Sequence, residues 1–353
     1  MGIFYKDQPL FGFDIGRSSV KIMQVNTSPK GAVVAGYGTA TFDPNAIKKG
    51  VIIDPQAIIK ASYDLIEHNM VGKLTTRHVA VSLPNAHSFS RVLTLPKMSA
   101  TDLANAVQLE VDQSIPMPLD ELYFDHSVVR ELENNEIEVQ VVACPKEIID
   151  SYITVFEALG LEVGLIESNI SAVTRIVVHA EAHDVPTLIV DIGSTACDLS
   201  IYDGSAIRAT GTVDCSGERI TQHIADSLGV SLQQAHGIKT RYGLELSKKQ
   251  DKIVKAVEPE LNKLVIEIRK VMRYFADRQS AGSAIGQIII LGGGANLPGL
   301  STYITDKTRV PTRLCAPWNN ISFGRLQPPH ELETTLYTTA SGLSMVQPEE
   351  LTR

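Results

Sequence analysis

A chain of 353 residues with 44% apolar side chains is long enough to bury more than one core and reads as two or three domains. A formal charge of −8 and a pI near 5.6 argue against the basic face that nucleic-acid recognition requires. No apolar run approaches the roughly 18 to 20 residues that span a bilayer, and residues Met1 to Gln8 hold no long signal core, so a cytoplasmic location is expected.

The first element is Phe11-Gly12-Phe13-Asp14-Ile15-Gly16-Arg17-Ser18-Ser19-Val20-Lys21. It reads as apolar strand, Asp, Gly, hydroxyl residues, apolar strand. That is a β-hairpin whose turn aims main-chain N–H groups and hydroxyls at an anion, with Asp14 at the strand end placed to hold a hydrated divalent cation. Three short strands are expected across residues 11–42, then a helix from Gln56 to Asn69 and a buried strand from His78 to Pro84. From about Asn85 to Gly164 the pattern becomes compact and insert-like. A strand from Ser88 to Leu95, a helix from Ser99 to about Gln113, strands Tyr123 to Arg130 and Ile137 to Cys144, and a helix from Pro145 to Leu159 make a β-α-β-β-α order, with Leu161-Glu162-Val163 as its last strand.

The phosphate-binding phrase then recurs as Leu188-Ile189-Val190-Asp191-Ile192-Gly193-Ser194-Thr195-Ala196-Cys197-Asp198-Leu199. Downstream, Gly217 precedes a helix with Ile220, Ile224 and Leu228 facing inward, and a helix start offers unpaired N–H groups to a phosphate or ribose unless Glu218 satisfies it. Glu258 opens a further helix whose stripe Leu261, Leu264, Val265, Ile268, Val271, Met272 and Phe275 reads as core, leaving Arg269, Lys270 and Arg273 on its solvent faces. The buried strand Ile288-Ile289-Ile290-Leu291 runs into Gly292-Gly293-Gly294-Ala295-Asn296, where absent side chains let a base or ribose approach the backbone. His179 and His183 lie one helical turn apart without a third ligand and are not read as a metal site. The run Ser247 to Lys252 reads as a solvated turn, and Gln347 to Arg353 as an acidic ending with no amphipathic helix. Cys144, Cys197, Cys215 and Cys315 have neither CxxC nor metal spacing and read as unpaired core thiols of a reducing compartment.

Two Asp-x-Gly-x-[Ser/Thr] phrases followed by Gly-Gly-Gly resemble the actin, sugar-kinase and heat-shock ATPase superfamily, in which two related lobes of mixed sheet and helices close over a nucleotide. Leu109-Glu110-Val111-Asp112-Gln113-Ser114-Ile115-Pro116-Met117-Pro118-Leu119-Asp120-Glu121 and the position of the inserted α+β subdomain resemble the FtsA-related PilM family of type IV pilus assembly proteins. The resemblance implies an actin-like ATPase fold. Lobe I would comprise a core of residues 1–84, 165–186 and 326–353 (subdomain 1A) and an insert of residues 85–164 (1C). Lobe II would comprise a core of residues 187–228 and 284–325 (2A) and residues 229–283 (2B).

The resemblance also implies ATP and Mg²⁺ as cofactors. Asp14 and Asp191 would hold the metal through water, and Gly16, Arg17, Ser18, Ser19, Lys21, Gly193, Ser194 and Thr195 would cradle phosphates. Gly217, Glu218, Lys239, Gly292, Gly293, Gly294 and Asn296 would flank the nucleoside. His236 stands where relatives show the Glu of Ala-Glu-x-x-Lys, so Lys239 alone is carried over from that pattern. No water-orienting group is identifiable, so at most slow hydrolysis is expected.

The implied partner is the cytoplasmic N-terminal peptide of a PilN-type inner-membrane protein, received in a groove beside the insert, which would bring the protein to the membrane. The resemblance leaves open pilus assembly ATPases and self-association, and extends to the related type II secretion machinery. An FtsA-like division scaffold and a small-molecule kinase are the alternative readings; the kinase needs an acidic general base and a shaped pocket.

Overall fold

The computed structural model describes residues 9–29, 31–180, 185–245, 250–278 and 284–347. His183, Ser247 to Lys249, Met1 to Gln8 and Pro348 to Arg353 therefore lie outside the described residues. The chain divides into two units: Met1–Ile176, Asn320–Pro328 and Thr339–Arg353 form the first, and Val177–Asn319 and Pro329–Thr338 the second.

In the first unit β1 (Phe11–Ile15), β2 (Ser19–Ser28) and β3 (Gly31–Thr41) form an antiparallel meander. A small hairpin of β4 (Ile47–Lys48) and β5 (Val51–Ile52) follows. Helix α1 (Pro55–Asp64) starts where the Asp54 carboxylate accepts the Ala57 N–H and Pro55 presets the first turn. The expected helix from Gln56 to Asn69 is met in extent, α-helical to Asp64 and π-helical over Leu65–Asn69, and leads into β6 (Val71–Gly72). Strand β7 (His78–Leu83) runs parallel to β1.

The insert consists of β8 (Phe89–Pro96), α2 (Ala100–Ser114), β9 (Leu122–Glu131) and β10 (Glu136–Pro145), with sheet order β8-β10-β9. Leu103, Val107 and Val111 of α2 bury against Leu93, Val139 and Val141, a core of its own. The next helix, α3 (Lys146–Ala158), follows the insert in sequence but packs elsewhere: Ile148, Tyr152, Val155 and Phe156 join the core of Phe13 and Val81. Likewise β11 (Glu162–Ser168) is not the insert's last strand, because it pairs in parallel with β7. Its neighbour could not be read from sequence, since a strand of this length carries no label for the sheet it joins. Helix α4 (Asn169–Ala180) closes this half.

The second unit repeats the plan. An antiparallel meander, β12 (Thr187–Ile192), β13 (Cys197–Tyr202) and β14 (Ile207–Val213), is followed by α5 (Gly217–Leu228), α6 (Leu232–Tyr242) and α7 (Gln250–Ala276). Strand β15 (Gln287–Leu291), helix α8 (Leu300–Thr308) and β16 (Thr312–Leu314) complete it. Helix α7 begins before Glu258 and carries Pro259 inside it. Burial of Ile253 and Val257 prolongs the apolar stripe backwards and outweighs the hydrogen bond that the proline removes. The chain then contributes β17 (Ile321–Ser322), parallel to β3, and α9 (Thr338–Ser344).

One sheet runs β11-β7-β1-β2-β3-β17 and the other β16-β15-β12-β13-β14. In both, two strands parallel to the first strand of a three-stranded meander extend the sheet from its free side. This is the duplicated lobe expected from the repeated phrase, an α/β fold built twice. Central strands β1, β12 and β15 are covered on both faces, which accounts for their unbroken apolar runs.

Candidate functional site

The first hairpin turns at Gly16 to Ser18, between β1 and β2, and is closed by the Gly16 N–H donating to the Ser19 carbonyl at 2.9 Å. Among the described residues, the N–H groups of Arg17 and Ser18 donate to no other backbone group, so the turn keeps donors for an anion. At the strand end Asp14 is held from two sides: Lys21 Nζ lies 3.2 Å from Oδ2, and the Ser82 hydroxyl donates to Oδ1 at 2.8 Å. Lys21 is thus paired with Asp14. Sequence reasoning does not single out Ser82; its signal is a lone hydroxyl in the apolar strand His78-Val79-Ala80-Val81-Ser82-Leu83. Ser18 gives its carbonyl to the Phe42 N–H at 2.9 Å, and the Arg17 guanidinium reaches the Ile47 carbonyl on β4.

The second hairpin turns at Gly193 to Ala196 and is closed by the Gly193 N–H on the Ala196 carbonyl at 2.9 Å. Its exposed turn residues Ser194 and Thr195 likewise engage no backbone acceptor through N–H among the described residues. Asp191 sits at the end of β12, level with Asp198 and Leu291 on the neighbouring strands.

The turn carbonyls dock on the start of α5. The Gly217 and Glu218 N–H groups donate to the Gly193 and Ser194 carbonyls at 2.9 and 3.0 Å, and the Ser216 hydroxyl caps the Arg219 N–H. The helix start expected to offer unpaired donors is therefore occupied by the hairpin itself. It fixes the turn instead.

Several of the second unit's candidates converge. A Cβ placed on Gly217 would lie 3.4 Å from the Gly193 carbonyl oxygen, 3.5 Å from Gly294 Cα and 3.6 Å from Lys239 Nζ. Lys239 is buried at 5% exposure and donates to the Gly217 carbonyl at 2.9 Å. Burial pulls its amine down to about 8, with the Glu218 carboxylate acting the other way. Its neighbour on α6, His236, is exposed, and partial burial and the Lys239 charge lower its pKa.

Gly292 has φ 81°, and a Cβ there would meet Asp191 Oδ1 and lie 2.7 Å from the Ile192 carbonyl oxygen, so only glycine lets β15 turn against β12. The Thr335 hydroxyl donates to the Gly292 carbonyl at 3.0 Å, a contact that sequence reasoning missed. Gly293 faces Leu336, and Asn296 is drawn to the same segment, donating to the Leu332 carbonyl at 2.6 Å.

The first unit also contains a cavity of about 490 Å³. The β4-β5 hairpin (Lys48, Lys49, Val51), Ile53, the Ala86 to Phe89 segment, Met117 and the start of α3 at Pro145, Glu147 and Ile148 line it. It therefore opens where the insert joins the large sheet.

The four cysteines are buried and none is in a disulfide. Among the described residues, no helix is long and apolar enough to cross a membrane, and no three His, Cys, Asp or Glu residues are grouped to hold a metal. A hydrated Mg²⁺ needs only one or two carboxylates, and each hairpin has one at its strand end, Asp14 in the first unit and Asp191 in the second; the open N–H groups of each turn suit phosphate oxygens.

A family model described as type IV pilus assembly protein PilM matches residues 12–347. The cell division protein FtsA of Pseudomonas aeruginosa is 24% identical over 382 aligned positions, covering 95% of this chain and 88% of its own, while several other FtsA sequences match over about half of their length. Among solved structures, the PilM-PilN type IV pilus biogenesis complex superposes with a TM-score of 0.82 at 24% identity, covering 96% of this chain and 98% of its own. The MreB5 protein of Spiroplasma citri bound to AMPPNP gives 0.55 at 12% identity, covering 96% and 95%. The fold is therefore that of the actin-like ATPases.

Proposed function

The chain belongs to the PilM family of type IV pilus assembly proteins, and from that premise we propose that it is an actin-like, nucleotide-bound scaffold of pilus assembly. Mg-ATP is the ligand of its two phosphate hairpins. Asp14 and Asp191 hold the hydrated metal, the turns Gly16 to Ser19 and Gly193 to Thr195 take the phosphates, and Gly217, Glu218, Lys239, Gly292 to Gly294 and Asn296 surround the nucleoside. Ser82 and Lys21 orient Asp14, a role set by their contacts of 2.8 and 3.2 Å. The bound metal would supply charge compensation for the phosphates; this chain's residues bind and orient.

The partner is the cytoplasmic N-terminal peptide of a PilN-type membrane protein, which brings the cytoplasmic scaffold to the inner face of the membrane. The cavity beside the insert is its seat: Val51, Ile53, Phe89, Met117 and Ile148 offer apolar contacts, and Lys48 and Lys49 flank them. Family membership is the observation that carries this reading. The subdomains expected from the resemblance (1A, 1C, 2A and 2B) are part of the same proposal, with α3 and β11 assigned to 1A rather than 1C.

The test is titration of a fluorescent PilN-type N-terminal peptide into purified protein with and without Mg-ATP. Saturable binding supports the scaffold. Nucleotide binding without peptide binding in either state would favour a division scaffold of the FtsA kind, and rapid phosphorylation of a compound in a small-molecule panel would favour a kinase.

A further inference from the structure

The β4-β5 hairpin that walls the cavity is hung from the turn of the first phosphate hairpin. Arg17, half-buried at the tip of that turn, donates from its guanidinium to the Ile47 carbonyl, the first residue of β4. The Ser18 carbonyl on the same turn receives the Phe42 N–H at 2.9 Å, which anchors the segment leading to β4. One residue before the Arg17 contact, the Ala46 carbonyl receives the Ile53 and Asp54 N–H groups at 2.8 and 3.2 Å. The Ile52 N–H in turn donates to Ser151 on α3 at 3.1 Å.

The hairpin's own turn faces the cavity. Gly50 has φ 84°, and a Cβ on it would lie 2.6 Å from His87 Cδ2 and 3.2 Å from Ile148 Cδ1, both cavity-lining residues. A displacement of β4 therefore reaches the cavity wall directly.

We propose that Arg17 couples the two ligands of the first unit: phosphate at the hairpin turn draws its guanidinium away from the Ile47 carbonyl, and the cavity wall loosens. The inference rests on the nucleotide and peptide reading above. A guanidinium binds a phosphate by charge-assisted, two-point hydrogen bonds that are stronger than one bond to a neutral carbonyl. The bond to Ile47 uses NH1, and an end-on two-point bond to a phosphate takes NH1 together with NH2, so the two acceptors draw on the same group. Linkage then requires reciprocity: nucleotide weakens the peptide by the factor by which peptide weakens nucleotide, of the order of tenfold.

Hydrogen exchange on the full chain tests this, read at the Ile52, Ile53 and Asp54 amides in wild type, Arg17→Ala and Arg17→Gln. Saturating Mg-ATP is added or omitted, with loading checked by analysis of bound nucleotide. In wild type, loading should speed exchange at these amides and lower affinity for the fluorescent peptide about tenfold. Nucleotide-free Arg17→Ala should already exchange like loaded wild type, a signature independent of how tightly the variant holds ATP. Arg17→Gln keeps a donor without the charge and should show no response to loading. Protection of the β7 amides in each variant reports an intact fold.

A wild-type hairpin indifferent to bound nucleotide overturns the inference, as does a nucleotide response in Arg17→Ala equal to that of wild type. An Arg17-dependent hairpin response without peptide binding would uphold the coupling device and remove the partner reading instead.

Discussion

Replacing Glu260 should loosen the helix that carries Gly217 and Glu218. Glu260 lies on α7 at 0% exposure, and its Oε1 gathers three partners: Lys263 Nζ at 2.8 Å, and Arg219 NH2 and His223 Nε2 at 3.2 Å each. Two of these, Arg219 and His223, belong to α5. Oε2 is buried with no partner, so the carboxylate already bears a desolvation cost on one oxygen. Burial pushes the carboxyl up, but the hydrogen bonds from Lys263, His223 and Arg219 prevail and hold it below its ordinary 4.5.

Removing one member of a buried ion pair costs about 3–5 kcal/mol when the remaining charge stays buried. Here the remaining partners are 39–47% exposed and can rehydrate, so Glu260→Ala belongs below that range. We expect about 2 kcal/mol for Glu260→Ala and about 1 kcal/mol for Glu260→Gln, which keeps a neutral acceptor. Urea unfolding at neutral pH measures both.

The pH dependence supplies a second check. A carboxyl with a lowered folded pKa stabilises above its unfolded pKa, and that contribution is lost as pH falls through the folded value. The gap between wild type and Glu260→Gln should therefore shrink below pH 4.5. A Gln variant within about 0.3 kcal/mol of wild type at neutral pH, or a gap that persists unchanged in acid, would refute the argument.

Three further outcomes follow from single residues. Gly292→Ala forces a side chain into positive φ and against the Ile192 carbonyl, and should cost about 2 kcal/mol or more; a melting temperature equal to wild type would contradict the close approach of β15 to β12. Tyr152→Phe removes a fully buried hydroxyl that finds no hydrogen-bond partner, so denaturant unfolding should show unchanged or higher stability, by up to about 1 kcal/mol, whereas a clear loss would mean the hydroxyl is bonded. Lys239 titrates near 8 when folded and near 10.5 when unfolded, so the unfolded chain binds more protons between those values and stability should rise with pH there. From neutral pH to mildly alkaline the gain is roughly 2 kcal/mol at most, and Lys239→Met should lack the slope; a Met variant with the same slope sinks the assignment.

What the sequence disclosed follows the range of each interaction. The two hairpins are legible because every residue of Asp-x-Gly-x-[Ser/Thr] lies within one turn, and the repeat of that phrase implies two related units. Ser82 was not, because its partner Asp14 is 68 residues away in sequence and becomes a neighbour only when β7 pairs with β1. Thr335 reaches the Gly292 carbonyl across 43 residues for the same reason.

Helix α3 shows a different limit. Its amphipathic pattern identified a helix, but amphipathicity states only that one face is buried and not which sheet covers it, so sequence adjacency assigned it to the insert. The α5 start shows a third limit: unpaired donors are expected at any isolated helix start, and only the docked hairpin reveals that Gly193 and Ser194 already use them. Arg17 combines these cases, since its place in the phosphate phrase is local while its bond to Ile47 spans 30 residues. The motif supplies the local role, and only the folded chain supplies the tertiary contact.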